Sequence, residues 1–337
     1  MIRHFQHKGD FQLERGSYLR DIEIAYSTFG RLNEKKDNVI WVCHALTANS
    51  DVADWWPNTV VKDGFLDPEK WFVVCANILG SHYGSTGPLS LNPETGEKYY
   101  NDFPKLTIRD MVKAHILLSN YLGIGEIYAV IGSSLGGFQA MEWALMQSER
   151  IKKLVLIATD TSVSPWAAGL NETQRMAIES DAEYGEHRDD AGIKGLAAAR
   201  AIALLSYRGA SGYNLSQKNR EETPEFSHRV ASYQRYQGEK LCKRFNAFSY
   251  MTILDAFDSH DITRGRGDLE LTLKGIKAKA ACISITTDIL FPPEKVKMIS
   301  DLLPDSEYFE LSSEFGHDGF LVEHAQLNSI LKSFLNK

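Results

Sequence analysis

Short runs in which almost every position is apolar recur along the chain, at residues 39–43, 71–75, 127–131 and 154–157, and again much later at 281–285 and 308–311. Runs of this length without polar alternation are what strands buried on both faces require, and such strands belong to parallel sheets. Helical patterns separate them. Ile108, Met111, Val112, His115 and Leu122 recur at helical spacing behind Thr107-Ile108-Arg109-Asp110, a T-x-x-D capping box, and Gly123 marks the stop. Phe138, Met141 and Leu145 repeat the pattern after the 127–131 run. Strands alternating with helices predict an α/β fold with a mostly parallel central sheet and helices on both faces. Two alternating segments near the N-terminus, around 11–13 and 21–26, flank Gly16-Ser17 and predict an antiparallel hairpin.

Between residues 164 and 274 the strand–helix alternation stops. The segment is rich in Ala, Arg, Gln, Glu and Tyr, predicts helices over 195–205 and 245–257, and has no strong strand pattern. The expected organisation is a core domain of residues 1–163 and 275–337 with a helical lid, 164–274, inserted between two sheet strands.

Composition narrows the function classes. The 337 residues are 43% apolar and 24% charged, which excludes a disordered chain, a collagen-like repeat or a small disulfide scaffold. A net charge of -7 gives no help against a phosphate backbone, so no nucleic acid is expected as a partner. No stretch approaches the ~18 uncharged apolar residues of a membrane span. The first eight residues carry no apolar segment behind their charge, so the expected location is cytoplasmic. Cys43, Cys75, Cys242 and Cys282 form no C-x-x-C pair and are expected as free, mostly buried thiols. His82, His115, His187, His228, His260 and His324 show no H-x-x-H or H-E-x-x-H spacing, and no metal is expected.

The chemistry lies in Gly132-Ser133-Ser134-Leu135-Gly136-Gly137, which follows an apolar run and opens a helix pattern. This is G-x-S-x-G in the strand–turn–helix context it needs. The spacing selects Ser134 as nucleophile and leaves Ser133 to pack. The Leu135 amide, at the helix start, can donate to an oxyanion. A serine nucleophile needs a base and an orienting acid, in the chain order Ser, acid, His for this fold. Asp288 directly follows the 281–285 run and His317 follows the last strand pattern, so both fall in order on strand-end loops. His44-Ala45-Leu46-Thr47 follows the 39–43 run and offers the Leu46 amide as second oxyanion donor, with His44 read as structural. Arg264-Gly265-Arg266-Gly267 reads as a flexible turn, with contact to phosphates as the alternative.

These motifs resemble the homoserine O-acetyltransferase family. The resemblance is carried by 44–47, Asp51-Val52-Ala53-Asp54-Trp55-Trp56, Tyr83-Gly84-Ser85-Thr86-Gly87-Pro88, 132–137 running into Gln139-Ala140-Met141-Glu142-Trp143, 288–293 and 316–321. It implies an α/β-hydrolase fold with a helical lid and a homodimer joined through lid helices. It implies ping-pong transfer of an acetyl group from acetyl-CoA, as co-substrate with no bound cofactor, to the hydroxyl of L-homoserine, a step towards methionine. It also assigns Arg200 to the acceptor's carboxylate, Tyr207, seven positions on, to the wall of the site, and Asp318 to the acceptor's ammonium. Leu135 stands where the family usually has Met, and Ala48-Asn49 where Gly usually follows. The rival expectations are a succinyl donor, a serine acceptor, an esterase or thioesterase that uses water, and a non-catalytic scaffold. The hydrolase is separated from the transferase by whether Arg200 and Asp318 face the Ser134 pocket.

Overall fold

Ten strands form in the computed structural model, whose described residues are 2–219 and 228–337. They are β1 (Ile2–Gln6), β2 (Asp10–Gln12), β3 (Tyr18–Arg20), β4 (Glu23–Phe29), β5 (Val39–Cys43), β6 (Phe72–Ala76), β7 (Ile127–Ser133), β8 (Ile151–Ile157), β9 (Lys279–Ile285) and β10 (Ser306–Leu311). Eight of them make one sheet in the order β1-β4-β6-β5-β7-β8-β9-β10. From β6 to β10 every pairing is parallel, while β1 and β4 add an antiparallel edge.

The apolar runs are continuous because each strand supplies both faces of the sheet at once. Val39, Trp41 and Cys43 join the core on one face, with Val130, Leu154, Leu156 and Cys282. Their alternates Ile40 and Val42 join the core on the other, with Ile131, Val155, Ile157 and Ile283. Successive side chains point to opposite faces, so a strand covered on both sides has no polar position to spare.

Twelve helices complete the described residues: α1 (Val52–Trp55), α2 (Ile108–Tyr121), α3 (Leu135–Met146), α4 (Pro165–Glu179), α5 (Ile193–Tyr207), α6 (Ala210–Ser216), α7 (Arg229–Cys242), α8 (Ala247–Asp258), α9 (Leu269–Lys274), α10 (Pro293–Leu302), α11 (Gly319–Val322) and α12 (His324–Leu335). Met111 of α2, Phe138 of α3 and Val296 of α10 cover the first face. Val52 of α1 and Leu327, Leu331 and Phe334 of α12 cover the second. The α2 capping box forms as expected. Thr107 accepts from the Asp110 amide and Asp110 returns the bond. Helices α4 to α9 fill the chain between β8 and β9, and no strand of the sheet lies there among the described residues. No described helix is long and apolar enough to cross a membrane.

The N-terminus differs from expectation. The turn at Gly16 joins β2 to the three-residue β3, and residues 23–29 instead pair with β1 in the main sheet. A three-residue strand carries too little alternation to be separated from the longer strand behind it.

The order also places the site. From β5 the chain steps outward to β6, then returns to the opposite side of β5 as β7. Loops leaving adjacent strands in opposite directions open a crevice at their carboxyl ends, where open α/β sheets bind ligands. The His44–Thr47 loop and Ser134 both sit there.

Candidate active site

Ser134 lies between β7 and α3 with φ 56° and ψ -128°. A left-handed φ is costly for a residue with a Cβ, and such strain persists only where its surroundings enforce it. Here they do. The Ser134 amide donates to the Ile157 carbonyl at 2.9 Å, and its carbonyl accepts from the Gly137 amide at 2.8 Å and the Thr159 hydroxyl at 3.0 Å. The flanking glycines allow the turn. A Cβ on Gly132 would lie 2.0 Å from the Gly136 carbonyl oxygen, and one on Gly136 would lie 2.1 Å from that of Cys43. Ser133 ends β7 with its hydroxyl buried, as packing rather than chemistry.

Acid and base are joined by their strand-end loops. His317 Nδ1 bonds Asp288 Oδ2 at 2.7 Å. Asp288 Oδ1 accepts from the amides of Leu290 and Phe291, at 2.8 and 3.0 Å. The carboxylate therefore holds its own turn and the histidine at once. Thr287 ties the loops together: its hydroxyl donates to the Ser313 carbonyl at 2.8 Å and accepts from the Gly316 amide at 2.9 Å. His317 is buried among Phe291, Phe320 and Tyr207, with ring centroids 5.3, 5.5 and 5.8 Å away. Burial alone would lower its pKa. The charge and hydrogen bond of Asp288, helped by Asp318, outweigh burial and leave the imidazole above its ordinary value.

Leu135 is the first residue of α3, so its amide has no carbonyl four residues back within the helix and meets the positive end of the helix dipole. Leu46 is the second residue of a turn closed by the Ala48 amide on the Ala45 carbonyl at 3.1 Å. His44 is held on both nitrogens, to the Ala45 carbonyl at 2.8 Å and from the Ile78 amide at 3.2 Å. Burial pushes its pKa down to about 4, so it stays neutral and braces the strand end.

A cavity of about 420 Å³ opens over Ser134. Leu46, Ser134, Arg200, Tyr207, His317 and Asp318 line it together, while Leu135 and Asp288 are not part of its lining. Arg200 lies over the Tyr207 ring, 5.7 Å from its centroid, and makes no ion pair among the described residues. Asp318 is paired. Its Oδ2 lies 3.1 Å from Nε of Arg208. Burial raises the Asp318 carboxyl above the ordinary range, and the charges of Arg208, His317 and Arg200 only partly restore it.

The corner after α5 that carries Arg208 is keyed to the histidine loop. A Cβ on Gly209 would lie 2.4 Å from the Glu314 carbonyl oxygen, and one on Gly316 would lie 2.4 Å from the Gly209 nitrogen. Backbone therefore packs on backbone, and α5 arrives at the site in a fixed position.

Three further residues of the cavity escaped sequence reading, Trp55, Lys240 and Arg244, as did Arg208, which pairs with Asp318 of its lining. Trp55 had a signal in the 51–56 motif. The three cations had none. Arg264 and Arg266 correct the reading of their segment. They pair with Glu14 and Glu142, so the turn is pinned, and pinned away from the cavity lining. All four cysteines are free, and Cys242 alone is only partly buried. Among the described residues no group of three or more His, Cys, Asp and Glu could hold a metal ion.

Residues 38–324 match the family model of the alpha/beta hydrolase fold. The chain is 48% identical over 322 residues to a homoserine O-acetyltransferase of Cyclobacterium marinum, covering 96% of this chain and 92% of the relative. Among solved structures it resembles a homoserine O-acetyltransferase from Bacillus anthracis, with TM-score 0.94 and 24% identity over 100% and 98% of the two chains, which shows the fold. It also resembles esterase E22, with TM-score 0.89 and 26% identity over 99% of both chains.

Proposed function

The chain belongs to the homoserine O-acetyltransferase family, and from that premise we propose that Ser134, His317 and Asp288 carry an acetyl group from acetyl-CoA to the hydroxyl of L-homoserine in two steps. In the first, His317 takes the Ser134 proton and the oxygen attacks the thioester carbonyl. Asp288 holds His317 by Nδ1, which leaves Nε2 as the base and stabilises the imidazolium that forms. The Leu46 and Leu135 amides receive the oxyanion, and such donors are commonly worth 10²–10³ in rate each. His317 returns its proton to the departing thiolate, and CoA leaves as the thiol. In the second step homoserine enters, its hydroxyl loses its proton to His317, and the oxygen attacks the acyl-enzyme. The bond from Ser134 Oγ to the acetyl carbon breaks, His317 returns the proton to Ser134, and O-acetylhomoserine leaves.

The observation that carries the transferase reading is the pair Arg200 and Asp318 on one cavity with the nucleophile. An esterase that uses water needs no cation and anion held apart beside its serine. A guanidinium without an ion-pair partner suits a carboxylate, bidentately. Asp318 meets Arg208 through Oδ2, and a carboxylate has further lone pairs with which to take an ammonium. Two charged grips turn the γ-hydroxyl towards the acyl-enzyme and convert an encounter into a positioned attack.

Two copies are expected to pair through the lid, where Trp166, Met176, Leu205 and Leu215 stand exposed, and light scattering reads this directly. The cytoplasm is the location proposed for this reaction. Incubation with acetyl-CoA alone, followed by peptide mass spectrometry, tests the intermediate. An acetyl group on the peptide containing Ser134, absent from Ser134→Ala, supports two-step transfer. An unmodified Ser134 peptide after rapid quench, from protein that still makes O-acetylhomoserine, overturns it.

A further inference from the structure

The segment Tyr83–Pro88 has no part in the chemistry above, yet its first residue reaches the loop that carries Leu46. The Tyr83 hydroxyl donates to the Thr47 carbonyl at 3.3 Å. The same carbonyl accepts from Nη1 of Arg244 at 2.6 Å, and Arg244 also donates to the Tyr83 hydroxyl. A carbonyl oxygen has two lone pairs, and here both are taken. The Thr47 carbonyl shares its peptide plane with the Ala48 amide, which bonds the Ala45 carbonyl, and the Ala45 carbonyl shares its plane with the Leu46 amide, so holding the Thr47 carbonyl steadies the Leu46 amide through that bond.

Each half of this clamp is itself anchored. On the sheet side, Asn77 donates to the Tyr83 carbonyl at 2.7 Å and accepts the Ser50 amide at 2.7 Å, so it ties Tyr83 to the far end of the oxyanion loop. Ser85 donates to the Asn77 carbonyl at 2.6 Å and accepts the Ala25 amide of β4 at 3.0 Å. On the lid side, Phe245 packs edge-on against Tyr83 and His82, with centroids 5.7 and 6.0 Å apart, and Asn246 donates to His82 Nδ1 at 2.9 Å. Arg244 makes no ion pair among the described residues. Asp54 and Lys240 share its cavity without bonding it. A guanidinium directed at a backbone carbonyl forms a charge-assisted bond, stronger than the neutral bonds around it.

We propose that Arg244 and Tyr83 are positioning residues: they hold the Thr47 carbonyl so that the Leu46 amide is preset for the oxyanion, and the lid thereby takes part in acylation. The proposal rests on the reading of Leu46 as an oxyanion donor. It gives the Tyr83–Pro88 segment its role, as the sheet-side anchor of the clamp. It also makes acylation depend on the lid before any acceptor arrives.

The test compares Arg244→Ala, Arg244→Lys and Tyr83→Phe with the unaltered protein on two donors, acetyl-CoA and p-nitrophenyl acetate, an ester without any part of CoA. Arg244→Ala should lower the acylation rate on both donors by the same factor, about 10- to 100-fold, less than outright loss of an oxyanion donor. KM for the ester should not move. Arg244→Lys should recover part of the rate, since an ammonium can reach one acceptor but not both. Tyr83→Phe removes only a hydroxyl, and should cost a smaller factor on both donors. A loss confined to acetyl-CoA, with the ester unaffected, makes Arg244 a CoA contact and overturns the proposal. Unchanged acylation on both donors overturns it too. Should Arg244→Ala fail to fold, the other two variants decide the matter. Failure of the functional reading shows separately, in the unaltered protein, as thiol release from acetyl-CoA that ignores homoserine.

Discussion

Two clusters of arginine lie on this molecule, and they differ in what their donors meet. In one, Arg109, Arg264 and Arg266 surround Glu14 and Glu142 at 2.6–3.1 Å. Spare donors go to carbonyls, as from Arg109 to Arg264 at 2.7 Å and from Arg266 to Ile262 at 2.9 Å. Glu142 is only 1% exposed. Every arginine there has a carboxylate partner, and the cluster ties the 264–267 turn to α2 and α3. In the other, Arg200 and Arg244 line the cavity over Ser134, and Arg208 pairs with Asp318 of its lining. Only Arg208 has a carboxylate, and it shares that carboxylate with the space where a substrate would lie. A saturated cluster holds the fold. An unsaturated one, set around a nucleophile, is available to a ligand.

The comparison can be broken at either end. The largest effect belongs to Glu142→Ala, which leaves Arg109 and Arg266 without their shared buried anion. About 3–5 kcal/mol of stability should be lost, as for other broken buried pairs. Denaturant titration reads the loss, and kcat per folded molecule should hold. Next comes Arg200→Ala. It should leave the melting temperature in place and lower kcat/KM for homoserine by about 2–4 kcal/mol, roughly 30- to 1000-fold, with acylation by acetyl-CoA unchanged. A fall in stability with activity intact would move Arg200 into the saturated class. Arg208→Met lies between the classes. It strips a buried carboxylate of one partner, so about 1–3 kcal/mol should be lost, shared between stability and homoserine KM. The smallest effect is in pH. His317 must be neutral to act as base, and its pKa lies above the ordinary 6.5. Activity on acetyl-CoA should therefore fall away with decreasing pH through a point above that value. Asp288→Asn removes the charge that raises it and should move this acid limb to lower pH while cutting kcat. An acid limb below 6.5 in the unaltered protein would contradict the arrangement.

Much of this was legible in the sequence for a local reason. The strands announce themselves because both faces of each are buried, and the runs therefore have no polar gaps. Ser134, Asp288 and His317 are legible because each directly follows such a run, and the chain order does the rest. Arg200 and Tyr207 were legible only through the resemblance, since an arginine between alanines on a helix reads equally well as a solvated face. What could not be read is pairing between distant residues. Arg244 meets Thr47 across 197 positions, and Arg264 meets Glu14 across 250. Nothing in Arg264-Gly265-Arg266-Gly267 shows that its charges are already matched, and nothing near Arg244 shows that its charge grips a carbonyl. The N-terminal strands were misread for want of length: three residues of alternation are within what a loop produces.

The claim that the cavity serves an amino-acid acceptor rather than water is tested most directly by following thiol release from acetyl-CoA with and without L-homoserine, with Ser134→Ala as the blank. The account predicts that steady release requires homoserine and yields O-acetylhomoserine in equal amount. Release at the same steady rate without any acceptor would contradict it, and would make water the acceptor.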